Sequence, residues 1–471
     1  MTVQAATIVV NTSADVIDED GLCSLREAII NANHASQHGS TDCVAGEAGG
    51  NTIVFDAALA GETITLNGEH LLITTRNLTI EGPVPGDRSG LILDGGQASR
   101  VINVLGPGMH VAVNLRDMTV TGGRTEDISQ PGGGLHAQSV VLTLDNVAVV
   151  ENSTGGNSSG GGGISGLQAK IELIDSLVEN NHVEGLGTTG GGIFVRGGEL
   201  ELTRTHVIGN RTEGGGNSNG GGIWAGWFGA VGSDLSLTDS VVSGNATETG
   251  TAFGGGIWAA GGEVVITGST ISGNSIANGG AGGISVDETQ FILVNSTVSG
   301  NSCTSSGGGL QIRRSDASLI HSTVAFNVVS GSGIRGIWLF GTETDPTSLE
   351  LVNSLVVQEN ASEPTCFGSE FSPISSTGSL STHDSCTGVA SAPEDIKLLG
   401  LAENGGLART HALGAGSLAI GFAGDCSGEL SIDADQRGEP RPGGSSDACD
   451  AGAYEFQGIN EDLIFRDRFE N

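Results

Sequence analysis

A short segment recurs along this chain and limits its fold more than any other feature. LTLDNVAVVEN (142–152), IELIDSLVENN (171–181), LELTRTHVIGN (200–210), LSLTDSVVSGN (235–245), VVITGSTISGN (264–274), FILVNSTVSGN (291–301) and SLIHSTVAFN (318–327) align on a closing asparagine. LELVNSLVVQEN (349–360) is a looser eighth copy. Successive closing asparagines lie 29, 29, 35, 29, 27 and 26 residues apart. Self-similarity at such a period marks a repeat architecture. Before most copies stands a glycine run ending in an apolar residue: Leu135, Ile164, Ile193, Ile223, Ile257, Ile284, Leu310 and Ile337.

Inside each copy apolar and small polar residues alternate, which is the period of a strand. No copy contains an amphipathic helix. One unit cannot bury its apolar face alone and must stack on its neighbours. The expectation is an all-β fold, a single-stranded right-handed parallel β-helix, with the hand taken from the preference of parallel crossovers. Rungs then lie ~4.8 Å apart. Serine and asparagine columns suit the bends, where identical side chains can form ladders. Ile193, Ile223, Ile257 and Ile284 are expected to face inward.

The 80 glycines of the 471 residues would indicate disorder if they were aperiodic, but here they punctuate Val, Ile and Leu strands. The expected organisation is an N-terminal cap over 1–60, with a helix at about 24–33. The solenoid then covers 61–400, a C-terminal cap 401–455 and a tail 456–471. The helix is read from CSLREAIINAN (23–33), where Ser24 and Glu27 form a capping box and Leu25, Ala28, Ile29 and Ala32 share a face.

Net charge is −35, with lysine only at 170 and 397, which argues against an electrostatic partnership with nucleic acid. No stretch is long and apolar enough to span a membrane. Met1 before TVQAATIVV reads as a start residue near a cleavage scar, so the chain is expected to be a mature exported protein, and a monomer. Cysteine spacing agrees with export. Cys23 and Cys43, Cys366 and Cys386, and Cys426 and Cys449 suit three local disulfides, with Cys303 left over. Zinc is the rival reading, but no CxxC or HxxxH accompanies these cysteines.

Cys23-Ser24-Leu25-Arg26-Glu27-Ala28-Ile29, followed by Ala32-Asn33 and Ile53-Val54-Phe55, resembles the N-terminal domain named for its CSLREA sequence. The glycine-run rungs resemble exported bacterial right-handed parallel β-helix repeat proteins. Asp435-Gln436-Arg437-Gly438, Pro440-Arg441-Pro442, Cys449-Asp450 and Gly452-Ala453-Tyr454-Glu455 are similar to the ending of choice-of-anchor β-helix proteins. LIFRDRFE (463–470) resembles a short C-terminal tag of exported proteins. These resemblances imply fold and a secreted or surface location, and little chemistry.

Chemistry must be sought on the outward columns. If Ile257 points inward, Trp258 points outward. That position holds Ser165, Phe194, Trp224, Trp258, Ser285, Gln311 and Trp338, with Trp227 and Arg196 close by. An exposed row of Phe194, Trp224 and Trp258 suits stacking of a sugar chain; the alternative is a stack that only tightens the solenoid. A second column reads Val141, Lys170, Glu199, Asp234, Glu263, Gln290 and Asp316. Carboxylates on neighbouring and next-neighbouring rungs bracket the retaining and inverting geometries of glycoside hydrolysis. They could instead hold Ca²⁺ or be solvated. His182 and Arg211 share a column after the closing asparagines and are candidates for the base and cation of a uronate lyase. Arg204 lies between Asp175 and Asp239 and reads as a salt-bridge ladder. Thr270, Thr297 and Thr323 share a column too interrupted to bind ice.

The leading expectation is a secreted carbohydrate-active β-helix that cleaves a polysaccharide, as a lyase or a glycoside hydrolase. Its catalytic candidates are Glu199, Asp234, Glu263, His182 and Arg211. Its substrate-binding candidates are Phe194, Trp224, Trp258, Trp227 and Arg196. The alternative is a non-catalytic cell-surface or adhesive β-helix that binds glycans or other surfaces.

Overall fold

A computed structural model describes residues 5–458 apart from 75–76, 109–110, 129, 361, 387–388, 425, 427–431 and 444–447. The expected tail motif at 463–470 lies outside the described residues.

The chain is a parallel β-solenoid. One rung reads Ile193–Arg196, Glu199–Thr203, His206–Ile208 and Arg211–Thr212. Each of these strands pairs in parallel with its counterpart on the next rung: Ile193 with Ile223, Leu200 with Leu235, Val207 with Val242, and Arg211 with Ala246. The four isoleucines expected inside are buried. One continuous apolar core runs from Ile8 to Cys386.

The repeat letters have separate physical reasons. Between second and third strands the backbone turns through the left-handed region at Asp175, Arg204, Asp239, Asn295 and Asn353, and Gly268 takes the same place. Asn, Asp and Gly tolerate that conformation best, which accounts for the recurring [D/N/G]-[S/T] step. The hydroxyl after the bend accepts a backbone N–H from the preceding rung, as Ser240 does from Thr205 and Ser269 from Ser240. The closing asparagines form a buried ladder: Asn210 Nδ2 donates to Asn245 Oδ1 at 3.0 Å, and Asn245 Nδ2 to Asn274 Oδ1 at 2.9 Å. The glycine run passes directly beneath that ladder. A Cβ on Gly222 would lie 2.8 Å from Gly256 O and 2.9 Å from the Asn245 amide carbon.

The expected helix is present as Leu25–His34, with both bonds of its capping box. The Glu27 carboxylate is fully buried and accepts from the backbone of Asp18 and Ser24. Arg26 grips Asp15 with two bonds and donates to His70 O and Glu69 O. The CSLREA residues thus hold the N-terminal segment together. The three expected disulfides are formed and Cys303 is free and buried.

The C-terminal segment departs from a simple end cap. It docks along the third-strand side of the solenoid. Thr270 Oγ1 donates to Arg409 O, Thr297 Oγ1 to Gln436 Oε1, and Thr323 Oγ1 accepts from Ala453 N. The threonine column is therefore a docking rail. Apolar packing of Leu355 and Val357 with Ile396, Leu413 and Ala451 adds to it. Leu398–Ala402 and Thr410–Leu413 form an antiparallel pair within this segment. Arg441 and Glu455 make a fully buried ion pair at 2.7 Å, and Arg441 also reaches Gly452 O and Asn295 Oδ1. The DQRG, PRP and GAYE motifs are thus the parts of a lock between this segment and the rungs.

Candidate functional site

The outward column is in the expected register, with Phe194, Trp224 and Trp258 adjacent on successive rungs. Their rings stack on one another, with centroids 4.6 Å apart for Phe194 and Trp224 and 5.1 Å for Trp224 and Trp258. Trp227, from the insertion after Trp224, meets Trp258 edge-on at 5.9 Å. Trp258 is consequently only 8% exposed, whereas an exposed row was expected. The reason is rung spacing: side chains one strand apart stand at ring-stacking distance, so the column consumes its own ring faces. Phe194 and Trp224 are half-buried. Arg196 donates to Trp227 O at 2.9 Å and lies over the Phe228 ring, holding the insertion in place.

Glu199 and Asp234 are direct cross-rung partners. Between Asp234 and Glu263 the register slips at a bulge. Glu263 N donates to Asp234 Oδ1 at 2.8 Å, which fixes that carboxylate. Together with Glu201 and Ser236 these groups line an open groove of about 400 Å³. Lys170 lies at one side, 2.8 Å from Glu201, 3.1 Å from Glu172 and 3.6 Å from Glu199. Its hydrogen bond to Glu201 is the main reason that its ammonium is held above the usual lysine range. Among the described residues Asp234 and Glu263 have no cationic partner within 4.0 Å, and no set of three His, Cys, Asp or Glu side chains is arranged to hold a metal ion. Glu199 turns towards Lys170, and Asp234 towards the backbone of the next rung.

The aromatic cluster and the groove share a wall. A Cβ on Gly261 would collide with the Trp227 indole, and one on Gly262 would lie 2.6 Å from Asp234 Oδ1. The two glycines let an indole and a carboxylate settle side by side on one strand, Ile257–Thr267.

His182 and Arg211 do not join this groove. They pair with each other across rungs in a separate eight-stranded sheet. His182 Nε2 is 2.9 Å from Glu184 Oε1, Arg211 pairs with Glu213, and Arg124 also binds Glu184. The closing asparagine turns the chain before His182 and Arg211 and so carries them away from the aromatic and acidic columns, whereas Lys170 and Arg196 stay beside them. Arg204 forms its expected ion pair with Asp175 at 2.7 Å.

One cluster was missed. Traced towards the N-terminus, the aromatic column continues through Ser165 to His136, Asn103 and Leu72. His136, Asn103, His70 and Arg100 line a polar pocket of about 530 Å³. The rungs of Leu71 and Ile102 lack the repeat's Gly-run and Asn signatures, so only their alignment with Leu135 as inward residues would have revealed it.

No protein-family model matches the chain, and no curated protein is similar to it. Among solved structures, that of the pectate lyase Pel9A is similar in overall course, with a TM-score of 0.41 and 14% identity over 97% of each chain. No chemistry is taken from a likeness of this degree.

Proposed function

We propose that this protein is a secreted carbohydrate-active β-helix that holds a polysaccharide across the rungs at Trp224–Glu263 and cleaves it by hydrolysis. The observation that carries the reading is the shared wall: Trp227 over Gly261 beside Asp234 over Gly262. The groove itself is lined by Glu199, Glu201, Asp234, Ser236 and Glu263, and the aromatic cluster with Arg196 stands beside it on the neighbouring strands. Asp234 and Glu263 are assigned the two carboxyl roles. One donates a proton to the departing glycosidic oxygen. The other attacks the anomeric carbon or activates a water for that attack. Glu199 and Lys170 bind sugar hydroxyls at the groove's margin. Hydrolysis is preferred to elimination because His182 and Arg211, the candidates for a lyase base and cation, stand on another sheet.

In the same reading the helix Leu25–His34 closes the first rung, the disulfides serve an extracellular life, and the CSLREA and choice-of-anchor resemblances mark export. The second reading is a non-catalytic cell-surface or adhesive solenoid that binds glycans or other surfaces. Self-stacking of the aromatic column favours it over cleavage, and favours a surface other than a stacked sugar as the partner. Incubation with a panel of neutral and acidic polysaccharides, followed by reducing-end analysis, separates the two. Release of new reducing ends that stops in Asp234→Asn supports hydrolysis. Binding without cleavage supports the surface solenoid.

A further inference from the structure

The polar pocket at the N-terminal end of the outward column is built differently from the acidic groove. Arg100 donates through Nε to Gly132 O and through Nη2 to Pro131 O, both at 2.7 Å. Both acceptors are neutral, and no described carboxylate lies within ion-pair distance of this guanidinium. Burial without a counter-charge pushes its pKa down to about 10. Two imidazoles share the space. Burial, and then the charge of Arg100, pushes His136 down to about 4, and the same two causes lower His70. Asn103 Nδ2 meets His70 Nε2 at 3.2 Å, while Asn103 Oδ1 is buried with no hydrogen-bond partner among the described residues. His136 Nδ1 lies 3.4 Å from Ser165 Oγ, and the imidazole also has a side-chain hydrogen bond with Gln138.

A half-buried cation with no counter-charge and a buried amide oxygen with no donor are costly arrangements that a ligand can relieve. The cation selects an anion, and a planar guanidinium suits a carboxylate. The rim adds a second requirement. Asp127 and Glu126 border the pocket, with Glu126 bound to Arg124. Acidic rim groups repel a dianion and accept hydrogen bonds from hydroxyls. The volume falls in the range of small-molecule sites, ~300–1,000 Å³.

We propose that the pocket framed by His70, Arg100, Asn103 and His136 binds a sugar acid, a single carboxylate carried on a hydroxylated ring. The carboxylate lies against Arg100, one ring hydroxyl donates to the unpaired Asn103 Oδ1, and the other hydroxyls face the acidic rim. The choice of a sugar as the hydroxylated body rests on the polysaccharide reading above; the carboxylate does not.

The full chain is titrated with glucuronate, glucose, acetate and inorganic phosphate, with heat and the imidazole NMR signals as readouts. The expected result is glucuronate binding at least about tenfold tighter than any of the other three, the scale of a hydrogen bond to a charged group. The His136 and His70 signals move with it. Arg100→Gln and His136→Gln each weaken glucuronate about tenfold or more, while Glu199→Gln binds it like the parent even if it cleaves nothing. His136→Gln stands in for Arg100→Gln should loss of the two carbonyl bonds unfold that loop. The proposal is overturned if glucuronate does not bind, if glucose, acetate or phosphate binds as tightly, or if the imidazole signals stay still. Loss of binding in Glu199→Gln overturns it too, because the ligand then sits in the acidic groove.

Discussion

Asn245 donates through Nδ2 to Asn274 Oδ1 at 2.9 Å, and the same carboxamide accepts from Asn210 through Oδ1. Its remaining proton goes to Val207 O at 2.9 Å, and its Oδ1 also takes the Asn210 backbone N–H. Every polar atom of this buried side chain is used. Asn245→Ala would strip the buried Asn210 backbone N–H of its acceptor and Val207 O and Asn274 Oδ1 of a donor, while Asn210 Nδ2 keeps Val178 O and Ile208 O. The expected loss is ~2–4 kcal/mol of stability, from more than one unsatisfied group at about 1–3 kcal/mol each. Chemical denaturation checks it; a change below about 0.5 kcal/mol would mean that the ladder is ornamental.

Trp258→Ala gives a different test. The ring is nearly enclosed by Trp224 on one face and Trp227 at its edge. Its removal should destabilise the protein by about 3 kcal/mol, the lower end for buried tryptophan truncation. The near-ultraviolet dichroism of the stacked indoles should collapse with it. An unchanged unfolding midpoint would show that the ring is freely exposed, as a sugar platform needs.

The solenoid was legible because its constraints are local and repeat: a left-handed bend wants Asn, Asp or Gly, and a buried ladder wants Asn at one position. The sequence alignment therefore placed Ile193, Ile223, Ile257 and Ile284 correctly, and the disulfide partners lie close in sequence. The environment of Trp258 was not legible. Column membership says that a ring leaves the core, but only the rung spacing and the Trp227 insertion say what covers it. The threonine rail was hidden for a similar reason. Thr297 and Gln436 are 139 residues apart, and no periodicity links them. His182 and Arg211 were near the carboxylates in sequence and separate from them in space, because one asparagine bend moves the chain to another sheet. Asn103 escaped notice because its rung keeps the inward apolar column without the repeat's other marks, and His136, next to Leu135, has no partner visible in sequence until that column is extended to Asn103.

Stability should depend on pH through buried imidazoles. Burial, with Arg441 nearby, pushes His321 down to about 3, and His136 lies at about 4. In the unfolded chain both titrate near 6.5. Unfolded molecules therefore bind more protons below that value, so stability is fully present above about pH 6.5 and is lost as pH falls towards 4. Asp450 acts in the opposite direction. Burial raises it to about 6, so its protonation favours the folded state between about pH 6 and 4. His321 packs against the docked C-terminal segment through Asn353. His321→Gln should flatten the acid limb of a melting-temperature profile between pH 6.5 and 4. An identical profile would remove His321 from the account.

The groove at Asp234 and Glu263 is tested most directly by reducing-end release from a polysaccharide panel, compared among the parent, Asp234→Asn, Glu263→Gln and His182→Ala, with absorbance near 235 nm followed in parallel. The account predicts new reducing ends without an unsaturated product. It predicts loss of at least about 100-fold in rate for either carboxyl variant, the lower scale of general acid–base catalysis, and full activity in His182→Ala. An unsaturated product that disappears in His182→Ala, or cleavage that survives both carboxyl substitutions, would contradict it.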